Sequence, residues 1–294
     1  NRDELKQLLE GKVDWYEPST PLVSTRQEDV NVDMSDEQHM LYKAMWDKLP
    51  FYLKWKLQNH VDLTDEEMAR SVSFLTGPRQ AGLSIFPYMS KPDPHKAFAA
   101  SPKLTTAKNR LMEELKNEKS KALVFSNFID AGLTPYAAAL QKENIPHAVF
   151  SGKLSDAERK KLVDDYNADK LKVALLGPSG TEGLSFKGTR LIQLLDPHFQ
   201  GVRPQQAIGR GVRFGSHDHL PEDMRDVRIE RYASRLPKGT FDWLLGGIGL
   251  DREHKQHATD DNLRRMSERK EELNRKFLDL LKEVGSRQKQ EVAA

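Results

Sequence analysis

Gln206, Gly209, Arg210 and Arg213 are the residues of this chain best equipped for chemistry. In the stretch Gln206-Ala-Ile-Gly209-Arg210-Gly-Val-Arg213 they fall at i, i+3, i+4 and i+7, which is one face of a helix. Two guanidiniums one turn apart beside a glycine present two planar forks where a partner can come close. Arg binds phosphate oxygens bidentately and never loses its charge, so the arrangement suits a polyphosphate. An Arg brought to a triphosphate held by another surface is the finger device of nucleotide hydrolysis. The same spacing also describes a surface Arg pair making ordinary ion pairs on an amphipathic helix, and the stretch alone does not choose.

Three small polar groups precede it. The turn Gly177-Pro-Ser179-Gly180-Thr181-Glu182-Gly183 carries two hydroxyls and several glycines. It can turn backbone amides toward phosphate oxygens, or it is a flexible connector. Ser126 and Asn127 close the apolar run Lys121 to Phe125. They could hold a phosphodiester, but taken alone they read better as caps of a helix over 131–143. Ser151 and Gly152 offer a close approach or simply a turn.

Taken in order, Lys121 to Asn127, Val149 to Gly152, Gly177 to Gly183, Leu194-Leu-Asp196-Pro-His198 and Gln206 to Arg213 resemble motifs IV, V and VI of superfamily 2 helicases. The resemblance is closest to the branch holding chromatin-remodelling translocases and the poxviral nucleoside triphosphatase. Gln205 to Arg210, then Arg213 and Gly215-Ser-His217, is particularly similar to the viral and phage members. It covers 121–235 firmly and the flanks loosely.

The resemblance implies an α/β fold: a parallel-sheet, RecA-like helicase C-terminal lobe with helical N-terminal and C-terminal extensions. It implies Arg213 and Arg210 as the catalytic arginines. Gln206, Gly209, Glu182 and Gly183 would meet the nucleotide. Ser126, Asn127, Ser151, Gly152, Ser179 and Thr181 would meet a nucleic-acid backbone. The Gly177–Gly183 loop touches both sites in that family and is the natural coupling element. The cofactors implied are ATP and Mg2+, held mainly by a first RecA-like lobe of the same protein. The partner implied is nucleic acid, double-stranded DNA above RNA. Two other readings stay open: a non-catalytic nucleic-acid-binding or scaffold module, and an unrelated α/β protein with an Arg helix, such as a small transferase.

The sequence contains no G-x-x-x-x-G-K-[ST] phosphate loop. Gly11-Lys12-Val13 and Gly152-Lys153-Leu154 do not continue to Ser or Thr. Asp36-Glu37-Gln38-His39 spells a D-E-x-H box, but the segment before it is too polar for a central strand. Ser35 with Gln38 reads instead as a capping box. The chain is therefore expected to be the second half of a motor, inactive alone and part of a longer protein.

Composition narrows the partners. Of 294 residues, 31% are charged and 37% hydrophobic, with a net charge of +2. No global field draws the chain to nucleic acid, so any contact must use a local patch. Arg203, Arg210, Arg213, Arg225, Arg228 and Arg231 supply one, some on phosphates and others paired with Glu222, Asp223 and Asp226. The absence of cysteine excludes disulfides and thiolate metal sites. His254 with His257, and His217 with His219, read as surface histidines rather than metal ligands. No apolar run is long enough to span a membrane. The expectation is a soluble intracellular protein, cytoplasmic if its host is a bacterium or phage.

The elements that must position these residues fall into three parts: 1–100, a linker and helical insertion; 101–236, the RecA-like domain; and 237–294, a helical extension. The first holds a helix at 2–10, a strand at 29–33, a helix at 36–49 with Met40, Leu41, Ala44, Met45 and Leu49 inward, and an aromatic helix from Phe51 to Leu57. Thr64 with Glu67 opens a helix to Leu75, and 77–100 reads as loop. From helix 102–118 onward strand and helix alternate. Strands are expected at 122–125, 147–150, 172–176 and 191–195, with an edge strand at 227–232. Helices are expected at 131–143, at 156–167 capped by Ser155 and Glu158, and at 203–213. This order means a parallel sheet with helices on both faces and functional loops at the strands' carboxyl ends. The tail places Leu263, Met266, Leu273, Phe277, Leu280 and Val284 on one helical face, packed on the rest of the lobe.

Overall fold

Strand β3 (Lys121–Phe125) is buried at every residue, as an apolar strand covered on both faces must be. Its alternate residues serve opposite layers. Ala122 and Val124 join one core with Leu104, Leu111, Tyr136 and Leu140, while Leu123 and Phe125 join another with Phe150, Tyr166, Phe186 and Ala207. A period of two thus divides one strand between two helical layers. The computed structural model describes residues 2–15, 23–178, 184–197, 202–213, 215–237, 258–284 and 286–287.

β3 lies inside a 6-stranded sheet. The order is β2 (Ser24–Asp33), β7 (Asp226–Arg235), β6 (Thr189–Leu194), β3, β5 (Val173–Leu176) and β4 (His147–Phe150). Every pairing is parallel, so all carboxyl ends share one edge. A short pairing of β1 (Asp14–Trp15) with β8 (Ser286–Arg287) stands apart. Helices α6 (Pro102–Glu114) and α7 (Thr134–Lys142) cover one face. On the other lie α8 (Asp156–Asn167) and α9 (Val202–Gly211).

A third core belongs to α2 (Asp36–Trp46), α3 (Phe51–Gln58) and α4 (Asp65–Leu83), joined by α10 (Thr259–Val284) through Leu263 and Met266. Three capping boxes open helices where the sequence predicts them: Ser35 with Gln38, Thr64 with Glu67, and Ser155 with Glu158. The first leaves Asp36 and Glu37 on an exposed first turn, the capping role expected of the D-E-x-H decoy. Helices α1 (Arg2–Leu9) and α5 (Pro94–Ala99) complete the elements used here.

Several expectations need correction. The region 77–100 is not loop: α4 runs through Gly77 and Pro78 to Leu83, and α5 follows. The helix expected over 131–143 begins with a π-helical turn, Ile129–Leu133, before α7. In α2 the inward residues are Gln38, Tyr42 and Trp46, while Met40 is 67% exposed. Ala44 is exposed as well, because the two aromatic rings decide which face turns in. β7 is not an edge strand, since it pairs with β2 and β6 on either side. α9 ends at Gly211, so Arg213 lies beyond the helix that was to carry it. In α10, Leu273 and Phe277 are exposed, although Leu263, Met266 and Leu280 are buried. No helix among the described residues is long and apolar enough to cross a membrane.

Candidate nucleotide and nucleic-acid edge

The carboxyl ends of β3 and β6 are locked together by one buried carboxylate. Asp196, just past β6, is 1% exposed. Its Oδ1 accepts from the Ser126 hydroxyl at 2.7 Å and from the Asn127 amide at 3.0 Å. Its Oδ2 accepts from the Asn127 side-chain amide at 2.7 Å and from Arg79 Nη2 at 3.2 Å. Arg79 also donates to the Pro197 carbonyl at 2.9 Å and stacks over the Phe128 ring, 4.7 Å from its centre. Both oxygens of this buried charge are thus met, as burial requires, while Arg79 Nε and Asn127 Oδ1 are buried without a partner.

Ser126 is fully buried and Asn127 half-buried. Neither caps α7, which opens without a side-chain cap. Gly132 stands against Ser126: a Cβ there would come 2.5 Å from its hydroxyl. Ser126 therefore faces inward, while Asn127 reaches the surface beside it.

Arg79 is absent from the sequence prediction, although one signal was present. Leu75, Arg79 and Leu83 are spaced i, i+4, i+8, which puts a guanidinium on the buried stripe of α4. Its partner lies 117 residues away.

At the ends of the neighbouring strands, Ser151 is half-buried and Gly152 exposed. Gly177 is wedged between the Phe150 carbonyl and Ile129, each 3.3 Å from where a Cβ would stand. Ser179, Thr181, Glu182 and Gly183 lie outside the described residues, as do His198, His254 and His257.

The Arg helix presents a different surface. Its inner face is pressed on the sheet: a Cβ on Gly211 would meet Leu123 at 3.0 Å and Ile192 at 3.1 Å. Its outer face is open, with Gln206, Gly209 and Arg213 exposed and Arg210 half-buried. A Cβ on Gly209 would have nothing within 4 Å. The Arg210 carbonyl accepts from the Phe186 amide at 3.0 Å, which ties the helix to the segment leaving the Gly177–Gly183 turn. The structure thus brings Gln206, Gly209 and Arg210 onto one helix, with Arg213 in the turn just after it.

Three other arginines of the basic stretch, Arg225, Arg228 and Arg231, are occupied by the fold. Arg225 donates to the Leu220 and Asp218 carbonyls. Arg228 pairs with Glu114 and Glu230, and Arg231 with Asp29. Asp226, expected as one of their partners, pairs with Arg190. His217 is not a surface histidine: it is 1% exposed, and burial pushes its pKa below the ordinary range. Among the described residues no cluster of three His, Asp or Glu side chains could hold a metal ion. The exposed Arg213 and the clear space at Gly209 fit a nucleotide phosphate, and no donor set for Mg2+ is present among the described residues.

An all-parallel sheet with helices on both faces, and an Arg helix packed on β3 and β6, defines a RecA-like lobe. Residues 106–215 match the helicase conserved C-terminal domain. The C-terminal part of the Fun30 ATPase domain superposes with a TM-score of 0.56 at 14% identity, covering 87% of this chain and 99% of that one. The SWI2/SNF2 ATPase core of Sulfolobus solfataricus, solved in complex with double-stranded DNA, gives 0.53 at 19% identity, over 87% of this chain and 50% of that one. In sequence, a putative ATP-dependent RNA helicase of Acanthamoeba polyphaga mimivirus is 32% identical over 155 residues. That stretch is 53% of this chain, which spans 32% of the relative's length. The chain therefore has the fold of the C-terminal lobe of SWI2/SNF2 ATPases. Within it, residues 106–215 are similar to the helicase conserved C-terminal domain.

Proposed function

We propose that this chain is the C-terminal half of an ATP-dependent DNA translocase or helicase. In that reading 1–100 links and braces, 101–236 is the motor lobe and 237–294 is a helical extension. ATP, when bound between this lobe and an N-terminal one, supplies phosphoryl transfer to water. The chain's own part is electrostatic. Arg213, with Arg210, stabilises negative charge as it spreads over the γ-phosphate. Gln206 and Gly209, with Glu182 and Gly183 in the preceding loop, shape the space for the nucleotide. Magnesium, like ATP, would be held mainly by the other lobe.

Asn127, Ser151, Gly152, Ser179 and Thr181 are the groups proposed to meet a nucleic-acid backbone, with Ser126 acting from beneath. Contacts of that kind position a strand without reading its bases. Opening and closing of the two lobes would move these groups along the strand. Double-stranded DNA is favoured over RNA because the fold agrees over 87% of the chain with an ATPase core solved on duplex DNA.

The observation that carries the proposal is the open face of α9. Gln206, Gly209 and, just past the helix, Arg213 are exposed together, inside the helicase domain match. The test is steady-state ATP hydrolysis by the longer protein, alone and with duplex DNA, single-stranded DNA or RNA. Stimulation chiefly by duplex DNA is expected. Stimulation by RNA alone would reassign the partner, and no hydrolysis under any condition would leave the scaffold reading.

A further inference from the structure

The turn after α9 contains a buried hydrogen-bond line that neither phosphate chemistry nor nucleic-acid contact explains. His217 Nε2 lies 2.6 Å from the Thr189 carbonyl at the start of β6. A carbonyl only accepts, so Nε2 carries the proton and Nδ1 is left as an acceptor. Nδ1 is 2.8 Å from the Ser216 hydroxyl, which is 2.6 Å from the Arg213 carbonyl. That hydroxyl hydrogen has two acceptors in reach. The same Arg213 carbonyl accepts the Ser216 amide at 3.0 Å. Between them Gly215 takes φ +72°, a left-handed conformation that glycine adopts without strain.

The anchor is firm. Thr189 is fully buried, and its hydroxyl lies 2.9 Å from that of Tyr166. His217 therefore pins the turn to the sheet, and Ser216 beside it in the chain holds the Arg213 carbonyl through its amide and, when the hydroxyl hydrogen points there rather than to Nδ1, through its hydroxyl. Arg213 needs such a support, because α9 stops at Gly211 and the side chain is exposed.

We propose that Ser216 and His217 are positioning residues for Arg213, fixing the backbone from which its guanidinium reaches a phosphate. This rests on reading Arg213 as the arginine that meets the γ-phosphate. An arginine on a loose turn spreads over many positions, and misplacing a reacting group by about 1 Å costs on the order of a hundredfold in rate. Loss of one link in the line is expected to cost less than loss of the arginine.

The test uses the longer, ATP-hydrolysing protein. Ser216→Ala and His217→Gln should each lower kcat by about tenfold and leave the KM for ATP within about twofold. Ser216→Thr keeps the hydroxyl and should restore the rate. Thermal unfolding is recorded for each variant, and Ser216→Ala, the smaller change, serves if His217→Gln does not fold. Three results would overturn the positioning role alone: unchanged kcat in Ser216→Ala while Arg213→Ala is inactive, a kcat loss that tracks loss of folded protein, or no rescue by threonine. Near-normal turnover in Arg213→Ala would overturn the finger and the positioning role together.

Discussion

The two halves of the candidate site are built on opposite plans. At the ends of β3 and β6, Arg79, Ser126 and Asn127 all turn their donors to the buried Asp196 carboxylate. On α9 Gln206 stands in the open, as does Arg213 just past the helix, and Gly209 leaves clear space beside them. The buried cluster fixes backbone shape before any ligand arrives. An open face supplies charge for another surface to complete. The lobe thus uses internal hydrogen bonds for geometry at one site and leaves the Arg213 side chain exposed at the other.

The largest effect should come from breaking the open half. Arg213→Ala in the longer protein is expected to lower stimulated ATP turnover by about a thousandfold or more, with ATP affinity largely kept, because a finger acts on the transition state. Lysine at the same position should not rescue, since a point charge lacks the planar fork. Steady-state kinetics with nucleotide titration reads both; near-normal turnover would move the finger to Arg210.

Breaking the closed half should show as stability. Asp196→Ala leaves Arg79 buried without its carboxylate, and denaturant unfolding of the chain should register a loss of about 3 kcal/mol. A loss well under 1 kcal/mol would mean that water reaches the cluster and that the two halves are less different than their burial suggests.

A pair of glycine substitutions sharpens the contrast within α9 itself. Gly211→Ala must push against Leu123 and Ile192, at a cost of about 1 kcal/mol or more. Gly209→Ala meets nothing and should stabilise the helix by about 0.5–1 kcal/mol, while hindering turnover in the longer protein. Equal effects on stability would show that both faces are packed.

The smallest effect concerns pH. His217 is held neutral by burial, so its folded pKa lies below the ordinary value. The unfolded chain takes up a proton near pH 6.5 that the folded chain refuses. Stability from this group is full above that value and is lost as pH falls from there toward the folded pKa. His217→Gln should flatten this part of the unfolding-versus-pH curve; an unchanged slope would mean the imidazole is freely protonated in the fold.

Much of the frame was legible because its signals are local. Ser155 with Glu158 marks the start of α8, and the run His147 to Phe150 is β4 as predicted. What was illegible depends on distant partners. Gly77 and Pro78 look like a helix end, since an interior proline costs roughly 3 kcal/mol. Yet α4 continues, because Arg79, Ala81 and Leu83 beyond them are buried anchors. The alternating charges of β7 suggested an exposed edge, but Arg228, Glu230 and Arg231 find their partners in Glu114, Arg110 and Asp29. At the site, the face shared by Gln206, Gly209 and Arg210 follows from spacing. The inward turn of Ser126 does not, because it takes Asp196, brought from 70 residues away, to bury that hydroxyl.

The pairing of β2 with β7 also sets an order of events at the ribosome. Partner residues such as Asp29 and Arg231 stand 202 residues apart, so β2 emerges long before its neighbour exists. Until β7 is made and laid along β6, β2 has no place in the sheet, and β6 presents an unpaired, apolar border. Contacts this distant close slowly, and a bare strand border invites association with other chains. Synthesis arrested just before Asp226 should therefore release a species prone to aggregate, whereas chains that run past Arg235 can seal their own border.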